Sequence, residues 1–275
     1  MKSKVGLVLG GGGARGVAYI GMLKAFEENN ITFDFIAGTS VGSIVGACIA
    51  YGVSSKRAYD IVKDLTNKDI LSNPLPLMPS KVDGIAKLCK RLFEKDEINF
   101  DDLKIPFCAV ATDLRRGEEY DIIKGDLIKA VCASCSVPGV FMPVSFDNTL
   151  LADGGLVNNI PSSVAKNFNC DKIIAVDLNS KRGEGTDSNN YFEILLASIR
   201  IMMKSNSQKG YVDADLMIQP DLKRFKSTKL KQIDEMIMEG YNATIRKMPE
   251  IKQLLGEKQK FIVGKICKKN INYKI

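Results

Sequence analysis

A serine with glycines two positions away on either side is the feature that most restricts how this chain can fold. In Gly38-Thr39-Ser40-Val41-Gly42, the serine follows an apolar, β-rich run at 33–37 and precedes a run of small residues at 43–50. A strand, a turn and a helix in this order predict a nucleophile elbow, which projects a strained serine at the carboxyl end of a strand. Gly38 and Gly42 are expected because side chains would not fit beside such a turn. A purely architectural turn gives the same pattern, so the pentapeptide alone leaves both interpretations open.

Strand and helix patterns alternate around this turn. An apolar run at 4–9 leads through a glycine loop at 10–16 into a helical pattern that ends near residue 29. Further buried strands are predicted at 106–111, 150–152, 172–176 and 215–219, with helical patterns between them. Parallel strands joined by helices predict an α/β domain of three layers, a mostly parallel sheet flanked by helices. One domain over residues 1–257 is the simplest organisation, because no convincing boundary interrupts it.

The sequence contains no histidine. A Ser-His-Asp triad, a Cys-His pair and a histidine-based metalloprotease site are therefore excluded within this chain. If Ser40 is a nucleophile, a group other than imidazole must accept its proton.

Aspartates at the ends of predicted strands are the candidates for this base: Asp113, Asp153 and Asp177. Asp153 is favoured because Gly154 and Gly155 allow the backbone to turn and a second group to come close. The alternative for each aspartate is a helix cap or a turn, both common uses of this residue.

The glycine loop supplies a second chemical element. Gly11, Gly12 and Gly13 carry no side chains, so a substrate oxygen can approach their backbone N–H groups. Several such donors at the start of a helix suit a developing oxyanion. Arg15 could assist them, or bind a phosphate or a structural carboxylate.

These three motifs, in this order and without histidine, resemble the patatin-like phospholipase family. The resemblance runs from about Val5 to Asp177 and includes the segment 133–143. It implies a patatin-like fold and a lipid acyl hydrolase that needs no cofactor. It also implies that Ser40 is the nucleophile, Asp153 the base and the loop Gly11–Gly13 the oxyanion hole. Gly10 departs from the pattern, because many members have an acidic residue before the three glycines.

Two other functions are compatible with parts of the sequence. Gly11-x-Gly13-x-x-Gly16 after a strand matches the fingerprint of a dinucleotide-binding Rossmann fold, although a lone match is weak. That fold needs an acidic residue at the end of the second strand, whereas Asp34 lies at its start. The second alternative is a catalytically silent, membrane-associated scaffold that keeps the fold.

The charge of the chain indicates which macromolecular partners it could attract. The net charge is +7, and six lysines without an acidic residue follow Glu257. This basic C-terminal extension, residues 258–275, is either a solvated tail or a segment attracted to an anionic membrane surface. It has no arginine and few aromatic residues, so nucleic acid is not expected.

Seven scattered cysteines do not form the pattern of a disulfide framework. Cys132 and Cys135 have the C-x-x-C spacing, but a zinc site needs two more ligands, so no metal is predicted. No apolar run is long enough to cross a bilayer, which predicts a cytoplasmic protein, peripheral on the membrane if the extension binds lipid.

Overall fold

A computed structural model describes residues 3–71, 79–180, 185 and 187–256. The predicted basic extension at 258–275 lies outside the described residues, as do parts of the loops at 71–80 and 180–190. The boundary of the predicted domain at residue 257 therefore stays a prediction.

The strands of the described residues form one mixed sheet with the order β5-β6-β3-β2-β1-β7-β8, and β4 also pairs with β3. Parallel pairing joins β3, β2, β1, β7 and β8, whereas β4, β5 and β6 are antiparallel to their neighbours. The strands are β1 Val5–Leu9, β2 Phe35–Thr39, β3 Phe107–Asp113, β4 Glu118–Ile122, β5 Val144–Phe146, β6 Thr149–Asp153, β7 Lys172–Val176 and β8 Leu216–Ile218.

Helices cover both faces of this sheet. In β1, Leu7 and Leu9 pack into one apolar cluster, together with residues of α1, α2, α3, α5, α6 and α9, and Val8 packs into the other, with residues of α7. The helices are α1 Ala18–Glu28, α2 Val41–Tyr51, α3 Ser55–Val62, α4 Asn67–Ile70, α5 Asp83–Phe93, α6 Leu127–Ser134, α7 Ser162–Asn167, α8 Tyr191–Asp213 and α9 Ile233–Leu254. Short 3₁₀ turns follow the glycine loop, at Gly13–Val17, and β6, at Gly154–Leu156.

The predicted three-layer α/β fold is confirmed, and its parallel part is the sheet core. The position of β1 and β2 in the sheet core explains their composition, because all five residues of each strand are buried, as expected for strands covered on both faces. Three details differ from the sequence prediction. The strand β5 was not predicted, α8 continues eight residues beyond the predicted end at 205, and one end of the sheet is antiparallel.

The edges of β3 bring two distant parts of the chain together. Residues 109–110 pair with both β2 and β4, and residues 111–113 pair with both β4 and β6. Since β4 takes up one edge along this stretch, β2 and β6 must share the other edge, one after the other and in opposite directions. Their last residues, Thr39 and Asp153, pair with the consecutive residues Val110 and Ala111. The two strands therefore meet end to end.

Among the described residues, no helix is both long and apolar enough to cross a membrane.

Candidate active site

Ser40 connects β2 to α2 in a strained conformation. Its φ of 54° is left-handed, a region that residues other than glycine seldom occupy, and its ψ is −129°. The backbone around it is held on both sides. Its N–H donates to Ser134 Oγ at 2.9 Å, and its carbonyl accepts hydrogen bonds from the N–H and the hydroxyl of Ser43, both at 2.7 Å. Such strain persists only where neighbouring groups enforce it, so the serine is fixed in one orientation.

The flanking glycines are required by close backbone contacts. A Cβ at Gly38 would overlap with the carbonyl of Gly42, and a Cβ at Gly42 would overlap with the carbonyl of Leu9 in β1. The prediction that these positions leave no room for side chains is confirmed. The turn can therefore lie directly against the end of the neighbouring strand.

Asp153 lies at the end of β6, where β6 meets β2. The residue is fully buried, and its Oδ1 accepts a hydrogen bond from the Gly155 N–H at 2.8 Å. Its Oδ2 has no hydrogen-bond partner among the described residues. Burial raises the pKa of Asp153 to about 6, and the Ser40 hydroxyl and the Gly155 N–H each act to lower it. The hydroxyl thus interacts with the carboxyl, although without the close geometry of a formed hydrogen bond.

Gly154 and Gly155 allow this turn to pack tightly. A Cβ at Gly154 would overlap with the carbonyl of Val110, and one at Gly155 would overlap with the side chain of Met203 in α8. The backbone of β3 therefore excludes a side chain at Gly154, whereas a Cβ at Gly155 would displace the flexible end of Met203 and crowd Asp153 Oδ1.

The N–H groups of the glycine loop differ in availability. The Gly11 N–H donates to the carbonyl of Asn159 at 3.1 Å, so the prediction of Gly11 as an oxyanion donor needs correction. No described residue accepts a hydrogen bond from the N–H of Gly12 or Gly13. Gly11 contributes proximity instead, since a Cβ at this position would lie 3.3 Å from Ser40 Cβ. The loop thus presents two unused donors beside the serine.

Arg15 supports this loop from within the protein. Its side chain is fully buried; Nε donates to the carbonyl of Phe225 at 3.1 Å, and Nη1 donates to Asn179 Oδ1. Asn179 in turn donates through Nδ2 to the carbonyl of Gly11 at 2.8 Å. Of the roles considered for Arg15, these contacts favour a structural one.

The other two candidate bases are engaged in turns. Asp113 Oδ1 accepts hydrogen bonds from the N–H groups of Arg115 and Arg116, at 2.8 and 3.3 Å. Asp177 accepts from the Asn179 N–H at 2.7 Å and from the Tyr211 hydroxyl at 2.6 Å. Both aspartates therefore act as turn residues, the alternative that the sequence had left open.

An apolar cavity of about 530 Å³ extends from Ser40 into the protein. Gly11, Gly12, Gly13 and Ser40 are part of its wall. The rest is mostly aliphatic. Much of it comes from α1, α2, α3 and α5, and a further part comes from α8, with residues such as Ile20, Leu23, Ile44, Val62, Leu88 and Leu92 from the first four helices. A polar corner on a long apolar cavity suits a ligand with one reactive polar group and a hydrocarbon chain.

Two residues of this site were missed by the sequence reasoning. Ser134 lies inside the segment 133–143, but only the fold brings its hydroxyl to the Ser40 N–H; that hydroxyl itself donates to the Val110 carbonyl at 2.6 Å. Asn159, five residues after Gly154, accepts the Gly11 N–H and donates through Nδ2 to Ser207 Oγ at 2.8 Å. Both act on atoms distant in sequence, so no local pattern indicated them.

The contacts at this site do not favour dinucleotide binding or metal binding. Asp34, the nearest acidic residue for a dinucleotide ribose, accepts the Val5 N–H at 2.8 Å at the start of β2, and the end of β2 is taken up by Ser40. In the part of the chain that the structure describes, no cluster of three or more cysteine, aspartate or glutamate side chains could hold a metal ion.

Comparison with known proteins adds the family context. The model of the patatin-like phospholipase family matches residues 7–166. An NTE family protein of Mycobacterium bovis is 38% identical over 190 residues, which are 67% of this chain and 52% of that protein. Patatin-like phospholipase domain-containing protein 6 of Homo sapiens is 35% identical over 201 residues, 70% of this chain and 14% of the human protein. The chain therefore spans about half the length of the mycobacterial relative and a small part of the human one.

The crystal structure of VipD from Legionella pneumophila has the same fold. It superposes with a TM-score of 0.55 at 14% identity and covers 91% of this chain and 67% of its own.

The buried carboxyl of Asp153 predicts a pH-dependent effect on stability. Its folded pKa of about 6 is above the value of about 3.9 in an unfolded chain, so the folded protein binds more protons between these values. The stability that the folded protein gains by binding this proton is fully present below pH 4 and is lost as the pH rises through 6. We expect Asp153→Asn to raise the free energy of unfolding at pH 8 by up to about 3 kcal/mol, and to have little effect at pH 4. Urea unfolding at both pH values measures this.

Asp113→Asn is the matched control, because the pKa of Asp113 moves in the other direction. Desolvation acts to raise the pKa of Asp113, but hydrogen bonds from the Arg115 N–H and from Thr149 outweigh desolvation and lower this pKa below its usual value. The control variant should lose stability at pH 8. A loss of stability in Asp153→Asn at pH 8 would contradict the assigned cost of burying the charge.

Proposed function

The chain belongs to the patatin-like phospholipase family, and from this premise we propose that it is a serine acyl hydrolase that cleaves ester bonds of lipids. The proposal assigns Ser40 as the nucleophile, Asp153 as the base, and the N–H groups of Gly12 and Gly13 as the oxyanion donors. One observation carries it: a strained serine faces a buried carboxyl with an unused oxygen, at the polar corner of an apolar cavity.

The first half of the reaction transfers the acyl group to the enzyme. Ser40 Oγ attacks the carbonyl carbon of the ester while its proton passes to Asp153 Oδ2. The carbonyl oxygen becomes negative and accepts hydrogen bonds from Gly12 and Gly13, where losing one such donor typically costs about 3 kcal/mol. The bond to the leaving alcohol then breaks, and Asp153 returns its proton to that oxygen. An acyl-Ser40 ester remains.

Water completes the cycle by the reverse sequence. Asp153 takes a proton from a water molecule as that water attacks the acyl carbonyl, and the same two N–H groups stabilise the oxyanion. When the bond to Ser40 Oγ breaks, the proton passes from Asp153 to the serine and the fatty acid leaves. Thioester hydrolysis, or transfer to another alcohol in place of water, would use the same residues.

An aspartate can act as this base because its site alters its pKa. A carboxylate with a pKa of about 3.9 accepts protons poorly at neutral pH. Burial raises the pKa of Asp153 to about 6, which keeps the group ionised at pH 7 while making it more basic. The Gly155 N–H holds Oδ1, so Oδ2 is left for the proton of the nucleophile. No imidazole is needed for either transfer.

The apolar cavity indicates that the acyl part of the substrate is recognised mainly by burial. Its wall offers few polar groups beyond the corner at Ser40, and its volume of about 530 Å³ accommodates a long hydrocarbon chain. Phospholipid, lysophospholipid and neutral glyceride all present such a chain next to a carbonyl. Peripheral contact of the extension at 258–275 with an anionic membrane also stays a prediction, since that segment lies outside the described residues.

Covalent labelling and substitution test the assigned pair. An organophosphonate should add to Ser40 in the wild type and not in Ser40→Ala, because only the activated hydroxyl attacks phosphorus; intact-mass spectrometry detects the adduct. Asp153→Asn should lower kcat by at least about a hundredfold, since general-base catalysis contributes that much or more. Hydrolysis of a lipid mixture, with products identified by mass, reports the loss.

Asp113→Asn controls for the removal of a strand-end carboxylate and should keep most of the activity. Asp177→Asn offers a second comparison of the same kind. If Asp177→Asn abolished turnover and Asp153→Asn did not, the base would be assigned wrongly. Full activity in Ser40→Ala would exclude this serine as the nucleophile.

Burial of the acyl chain predicts a steep dependence on chain length. Each methylene removed from water contributes about 0.8 kcal/mol. Two added carbons should therefore raise kcat/KM roughly fifteenfold until the cavity is filled, in a series of monomeric esters with one head group. Ala58→Leu, which enlarges a side chain of the cavity wall, should move the plateau to shorter chains. A dependence on chain length that is flat from four to twelve carbons would contradict an acyl-binding role for the cavity.

A further inference from the structure

Helix α8 exposes an apolar face that its position in the fold does not explain. Five large apolar side chains of this helix, between 40% and 80% exposed, form what we name the outer face: Tyr191, Ile194, Leu195, Ile201 and Met202. Their spacing of three, four and seven residues places them along one side of the helix. Exposed apolar groups that are scattered need no explanation, whereas a continuous apolar face marks an interaction site.

The opposite side of the same helix contributes to the wall of the apolar cavity. Phe192, Leu196, Ile199 and Met203 line the cavity, and Met203 contacts the turn at Gly155. Two partly exposed residues on the flank of the helix, Arg200 and Lys204, also line it, so the cavity reaches the protein surface beside α8. The outer face therefore lies next to the cavity opening.

Helix α8 carries more basic than acidic residues. Arg200, Lys204 and Lys209 lie between its two acidic residues, Glu193 near its start and Asp213 at its end. Basic side chains next to a helical apolar face are typical of helices that lie in the interface of an anionic bilayer, where each lysine or arginine adds to the attraction.

We propose that the outer face of α8 docks onto the surface of an anionic lipid bilayer. With this face inserted among the lipids, the cavity opening faces them, and an acyl chain reaches Ser40 along α8 without crossing water. This role rests on the proposed lipid hydrolase function, since it gives the cavity a source of substrate. A second copy of the chain at the same face would cover the opening, and the basic flank would repel its counterpart, so the bilayer is the occupant that these features favour.

Vesicle flotation with the full chain tests the docking surface without depending on catalysis. The vesicles contain phosphatidylcholine with about 30% phosphatidylglycerol, and pure phosphatidylcholine vesicles serve for comparison. We expect the wild type to float with the anionic vesicles. The variant Ile201→Gln/Met202→Gln should bind them at least about tenfold more weakly, because apolar contact with the lipid is lost. Glutamine is a good helix former, so the substitutions preserve α8.

The matched control is Leu114→Gln/Ile123→Gln, which removes two apolar side chains of similar exposure beside β3 and β4. It should bind vesicles as the wild type does. Circular dichroism and urea unfolding establish that both variants are folded. Equal binding by the α8 variant and the wild type would overturn the proposal, as would equal weakening in the control.

Two further measurements separate the alternatives. A dimer in analytical ultracentrifugation that the α8 variant dissociates, without vesicle binding by the wild type, would show that a second copy occupies the face and overturn the proposal. Hydrolysis of a water-soluble ester is measured in parallel on the wild type. Hydrolysis without vesicle binding refutes the docking surface alone, whereas α8-dependent vesicle binding without hydrolysis supports the surface and refutes the proposed function.

Discussion

The candidate site depends on two strands that end against each other on one edge of β3. Because Thr39 and Asp153 pair with the consecutive residues Val110 and Ala111, the backbone hydrogen bonds of the sheet determine the distance between Ser40 and the carboxyl. Both side chains thus start from rigid elements, which hold a reactive geometry better than loops do. The antiparallel end of the sheet is what allows this arrangement, since a parallel β6 would point its end in the same direction as β2.

Burial then gives the carboxyl its chemistry. A carboxylate in water is a poor base at neutral pH, and burial raises the pKa of Asp153 to about 6, toward the range that its proposed role as a base needs. Only one of its two oxygens accepts a hydrogen bond from the backbone, and the other has no partner among the described residues; the Ser40 hydroxyl acts to lower the pKa of the group. The same desolvation opposes folding once the group ionises. The proposed role as a base needs Asp153 to be buried and ionised, whereas stability favours a neutral group at this position. Such a conflict is common where function depends on strained or buried groups.

Local sequence patterns predicted the single strands and turns of this protein better than the contacts between residues that are far apart in sequence. The buried strand at Val5–Leu9 and the turn at Ser40 were recognisable because their signals are short-range: continuous hydrophobicity, and glycines where backbones touch. The direction of β6 was not, because antiparallel and parallel strands can have the same composition. The commitment of the Gly11 N–H to Asn159 was equally hidden, since it joins residues far apart in sequence. Arg15 shows the same limit: a single arginine suited three roles until its contacts were known.

Asn159 links the parts that the proposed mechanism uses separately. Its carbonyl holds the glycine loop through Gly11, and its amide holds α8 through Ser207, which also donates to the Met203 carbonyl. Its own Oδ1 is buried and has no partner among the described residues, a situation that costs about 1–3 kcal/mol. Because one residue joins the glycine loop to the helix that carries the outer face, the position of α8 and the shape of the loop are not independent. Docking of α8 on a lipid surface, as proposed, would therefore act on the same backbone that carries the proposed oxyanion donors, Gly12 and Gly13.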